Sequence, residues 1–81
     1  MSVRLRDEGT VELAGRCPAD DAEPLLRLLL SEPGAQVDWR TCDHLHMALV
    51  QLLFIFRPPL VGPPRGDFLR RHVDPLLRRA S

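Results

Sequence analysis

Val37–Phe56, VDWRTCDHLHMALVQLLFIF, decides how this chain of 81 residues folds. Gln36-Val37-Asp38-Trp39 reads as a short buried strand, a polar Asp-His turn follows it, and a strongly apolar helix then covers Leu45–Arg57. That order sets the unpaired N–H groups of a helix start beside the end of a buried strand, a common location for ligand capture and regulation in α/β proteins. What the location can do depends on its side chains. Asp43, His44, Leu45, His46, Met47 and Ala48 stand there, and none carries a hydroxyl.

Upstream, Val3-Arg4-Leu5-Arg6 and Val11-Glu12-Leu13-Ala14-Gly15 both alternate apolar and polar residues, with Asp7-Glu8-Gly9-Thr10 between them. This predicts a hairpin whose turn uses the conformational freedom of Gly9, and Gly15 marks where the chain leaves the sheet. Asp20 and Glu23 have capping-box spacing, Pro24 falls in the first turn, and the leucines of 25–30 supply a broad apolar stripe. Glu32-Pro33-Gly34 stops that helix. Downstream, Pro58-Pro59 ends the second helix, Leu60-Val61-Gly62 has room for a brief strand, and Asp67 opens a last helix with Phe68, Leu69, Val73, Leu76 and Leu77 inward. Asp74-Pro75 predicts a kink or a break in it. The order β-β-α-β-α-β-α implies one α/β domain over residues 1–81, a small sandwich with helices on one side of a mixed sheet of about four strands.

Composition narrows the function. Apolar residues make up 44% and charged residues 27%, as expected of an ordinary soluble globular domain. The formal net charge is zero, which argues against general binding to nucleic acid or an anionic membrane surface. All 11 basic side chains are arginine, and residues 65–81 hold five of them against Asp67 and Asp74. That segment is either a solvated helix face or a docking patch for an acidic partner. The N-terminal MSVRLRDEG is charged and shows no secretory signal, and the apolar run Met47–Phe56 is too short to span a bilayer, so no membrane insertion is expected. Cys17 and Cys42, without a CxxC motif, read as free buried thiols of a protein in the reducing cytoplasm.

The residues around the central stretch resemble a STAS domain, the fold of bacterial anti-sigma-factor antagonists and of small subunits of lipid-transporting ABC systems. Thr10-Val11-Glu12-Leu13-Ala14-Gly15-Arg16 resembles the family's strand ending in Gly, and Val37-Asp38-Trp39 its central strand. Leu45-His46-Met47-Ala48-Leu49-Val50 falls where the family carries an apolar residue, Asp, Ser or Thr, a small residue, Gly and Leu. Here His46 takes the Asp position, Met47 the hydroxyl position and Leu49 the Gly position. Methionine accepts no phosphoryl group, and the nearest hydroxyl is Thr41, so the resemblance implies a STAS-like module without the phosphorylation switch.

The resemblance implies a bacterial signalling module, of sigma-factor or chemotaxis type, that binds another protein: a regulatory kinase-like, chemotaxis or transporter component. The expected partner surface is Asp43, His44, His46, Met47 and Val50, with homodimerisation as a second use of the same apolar helix. Cys42, His44 and His46 are the alternative, a metal site completed by Cys17 or His72, although Cys-x-His-x-His lacks the paired spacing of zinc sites. A Cys42–His nucleophile pair has no Gly-rich loop or paired carboxylates beside it, so the chain reads as a non-enzyme without a cofactor.

Overall fold

The computed structural model of the chain describes residues 2–7 and 9–79. Its elements are β1 (Val3–Asp7), β2 (Thr10–Cys17), a 3-10 turn at Ala19–Asp21, α1 (Ala22–Ser31), β3 (Gln36–Leu45), α2 (Met47–Phe56), β4 (Leu60–Val61), a π-helical turn at Leu69–Val73 and α3 (Asp74–Arg79). The expected order of strands and helices is the one observed. Four strands form a single mixed sheet in the order β1-β2-β3-β4, with β1 antiparallel to β2 and the other neighbours parallel.

Alternation along the strands divides the sheet into a covered and an open face. Val11, Leu13 and Cys17 of β2 and Val37, Trp39, Cys42 and Leu45 of β3 are buried in one core with Leu25 and Leu29 of α1, Leu49, Val50 and Leu53 of α2, and Leu69, Val73 and Leu77 near the C-terminus. All the helical segments therefore share one side. The opposite face carries Arg4, Arg16, Arg40, Thr41 and His44, all exposed. Trp39 fills the middle of the core with no surface exposed, packed so closely on Gly62 that a side chain there would collide with the indole. Its Nε1–H has no hydrogen-bond partner among the described residues.

Four local expectations are corrected. β3 runs on through Thr41, Cys42, Asp43 and His44 to Leu45, so the Asp-His stretch is strand rather than turn, and α2 begins at Met47 rather than Leu45. Register shifts against β2 between Glu12 and Ala14 and between Gly15 and Arg16 insert extra residues into β3 and interrupt the alternation that marks a strand in sequence. Gly15, at φ 65°, serves the second irregularity and does not end β2. At α1, Asp21 rather than Asp20 is the cap residue and its side chain makes no capping bond, because the 3-10 turn takes up the preceding residues. Finally, Asp74-Pro75 does not break the last helix into two separate helices but marks the point where the π turn passes into α3. Pro75 would drive its ring into the carbonyl of Arg71 in a regular α-helix, and the π turn, in which Asp74 N–H donates to Leu69 O, gives the wider spacing that accommodates it.

No helix among the described residues is long and apolar enough to cross a membrane.

Candidate interaction surface at the start of α2

α2 leaves the sheet where β3 ends, and two sets of bonds hold that exit. His46 N–H donates to Cys17 O at 2.9 Å, tying the helix start to the end of β2. Gly66 N–H donates to Cys42 O at 2.9 Å, and Arg65 grips Asp43 through Nε and Nη2 at 2.7 and 2.8 Å, tying the approach to the last helix to β3. The paired guanidinium holds the Asp43 carboxyl below the usual carboxylate range.

His46 is the N-cap of α2, in extended conformation at φ −61° and ψ 148°. Its ring Nδ1 accepts from Ala48 N–H at 3.1 Å, and its carbonyl accepts from Leu49 and Val50. An imidazole thus does the work more often done by Ser, Thr, Asp or Asn. It also occupies the place at the helix start that an anion would take. With Met47 at the first helical position, the location offers neither an acceptor for phosphoryl transfer nor an empty anion cradle.

The predicted partner residues separate on inspection. Asp43 and His44 are exposed on β3, His46 is exposed at the cap, and Met47 is 59% exposed on the first turn of α2. Val50 is only 5% exposed and belongs to the core, so it is removed from the surface set. The reason is geometric: the sequence spacing groups Leu45, Leu49, Leu52, Leu53 and Phe56 on one face and leaves Val50 off it, whereas α2 turns Leu49, Val50 and Leu53 inward together and leaves Leu52 and Phe56 half-buried. Ile55, 71% exposed, was missed. Helical spacing was the available signal, since residues 47, 51 and 55 lie along one line of a helix. Met47, Gln51 and Ile55 make an exposed stripe flanked by half-buried Ala48 and Leu52.

The alternative metal set does not converge. Cys42 faces the core opposite Gly15, while His44 is exposed on the open face opposite Arg16, and the His46 ring is engaged in its cap. Among the described residues no group of three or more His, Cys, Asp or Glu side chains is placed to hold an ion. Cys42 is instead in contact with Cys17 across β2 and β3, and its Sγ lies 3.6 Å from His44 O. Contact with the neighbouring sulfur and burial both push the Cys42 thiol up, which suppresses the thiolate a nucleophile needs.

Much of the basic C-terminal segment is spent internally: besides Arg65, Arg70 and Arg71 pair with Asp67, and Arg78 with Asp74. An open cavity of about 340 Å³ lies at the other end of the molecule, where the ends of α1 and α2 meet, lined mainly by Leu29, Leu30, Pro33, Phe56, Pro58 and Pro59. Comparison of the chain with protein-family models, curated proteins and solved structures finds no match.

Proposed function

We propose that this chain is a non-catalytic, STAS-like module of bacterial signalling that docks onto a regulatory partner protein through the exposed side of α2, with Met47 and Ile55 as apolar anchors and His46 at the rim. The observation that carries the reading is the exposure of those two large apolar side chains, 59% and 71%, on a helix whose other faces are buried or half-buried. Apolar side chains in a line, edged by polar groups, favour a protein partner over a small polar ligand. The order of the sheet and the helix that follows its central parallel strand support the STAS-like reading. Met47 at the family's hydroxyl position supports a docking role that is constitutive rather than switched by phosphorylation.

The test is affinity capture from the native host with the wild type, Met47→Glu, Ile55→Glu and Leu76→Glu, quantified by mass spectrometry. A partner lost with the first two variants and kept with the third supports the reading, since Leu76 is exposed elsewhere. Equal capture by all four overturns it.

A further inference from the structure

The open face of the sheet carries a second, differently built surface. Four arginines, Arg4, Arg6, Arg16 and Arg40, share that face with only two described carboxylates, Glu12 and Asp38. The carboxylates lie underneath: the Glu12 and Asp38 side chains are 15% and 5% exposed, against 66% for Arg4 and 60% for Arg40. Asp38 accepts from Arg6 at 2.7 Å and from Arg40 at 2.9 Å, and Glu12 accepts from Arg4 at 2.7 Å. A molecule approaching this face therefore meets guanidinium groups that the acids beneath hold in place. Arg16 is exposed and forms no ion pair among the described residues.

Register adds a shape. Ser2 O accepts from Ala14 N–H, and Ala14 stands opposite Thr41, so Ser2, Ala14 and Thr41 form a row of small side chains across β1, β2 and β3. Arg4 and Arg40 lie on one side of the row and Arg16, opposite His44, on the other.

The geometry points to this face as a docking surface for an extended acidic segment of a partner protein, laid across the strands over Ser2, Ala14 and Thr41 with its carboxylates on Arg4 and Arg40 on one side and Arg16 on the other. Guanidinium forks match carboxylates in paired geometry. No Phe, Tyr or Trp among the described residues stands on this face for a base to stack on, which disfavours a single-stranded nucleic acid as the occupant. The surface lies across the sheet from α2 and stands independently of the α2 reading.

An amide-resolved NMR titration of the folded chain with octaglutamate tests it, with octalysine and a DNA duplex of equal length as comparisons. Shifts confined to β1, β2 and β3, an affinity that falls with added salt, and at least a fivefold loss in Arg16→Glu are expected; Arg16→Gln, losing less, separates charge from disturbed folding. Absence of shifts on this face, or an Arg16→Glu variant that binds octaglutamate as well as the wild type, overturns the proposal. Tighter binding of the duplex than of octaglutamate also overturns it, by making nucleic acid the occupant.

Discussion

Gly66 and Asp43 meet backbone to backbone. A methyl group built on Gly66 would fall inside contact distance of the Asp43 carbonyl oxygen, and the Gly66 N–H donates to the neighbouring Cys42 O at 2.9 Å. The last helix is thereby seated on the end of β3, next to the α2 start, at a point where only hydrogen fits.

Gly66→Ala is accordingly expected to destabilise the fold by roughly 2–3 kcal/mol, through forced separation of the two backbones and loss of that hydrogen bond. Urea denaturation measures it. Gly34→Ala is the contrast: nothing crowds that position, but its φ of 83° makes alanine unfavourable by about 1 kcal/mol.

The imidazole cap is replaceable by a better one. His46→Ala should lower stability by about 1 kcal/mol, because Ala48 N–H loses its acceptor, whereas His46→Asp should match or exceed the wild type by adding a favourable charge at the helix start. A wild-type-like melting temperature in His46→Ala would contradict the capping role.

Asp38 links the open face to acid sensitivity. Hydrogen bonds and charge from Arg40, then from Arg6, hold its carboxyl far below the usual carboxylate range. A depressed folded value stabilises the protein above the unfolded carboxyl value of about 3.9, and that contribution is lost as pH falls from there toward the folded value. Asp38→Asn should therefore be less stable than the wild type at neutral pH, by about 1–3 kcal/mol, with the gap closing below about pH 4. Chemical denaturation of both proteins at several pH values measures the gap.

The thiols should be silent in the native state. Cys17 and Cys42 are both free and fully buried, and burial together with the Cys17 contact raises the Cys42 thiol. Iodoacetamide labelling should be slower than in the unfolded chain by roughly a thousandfold or more, since it requires opening of the core. Rapid native labelling of Cys42 would reopen the nucleophile hypothesis.

The parts of the fold legible in the sequence are those where one local rule acts undisturbed. Val3–Leu5 and Val11–Leu13 alternate, Gly9 turns between them at φ 86°, the leucines of α1 recur at helical spacing, and Glu32-Pro33-Gly34 ends the helix as expected. The second half of β3 was hidden because its bulges break period-two alternation and because Thr41, Asp43 and His44 face solvent. The inward set of α2 was hidden for the opposite reason: a helix apolar nearly all round has no periodic contrast, so only tertiary packing decides that Val50 goes in and Ile55 stays out. The Asp43–Arg65 and Asp38–Arg6 pairs join residues 22 and 32 positions apart, and neither has a local signature.

The central claim is that α2 docks a protein through Met47 and Ile55. The most direct measurement is a calorimetric titration of the captured partner with wild type and Met47→Glu. Met47 is exposed, so the substitution should leave stability within about 0.5 kcal/mol of wild type. The dissociation constant should rise by at least about tenfold, as removal of an apolar anchor does at an interface centre. A folded Met47→Glu protein that binds the partner with wild-type affinity would contradict the account.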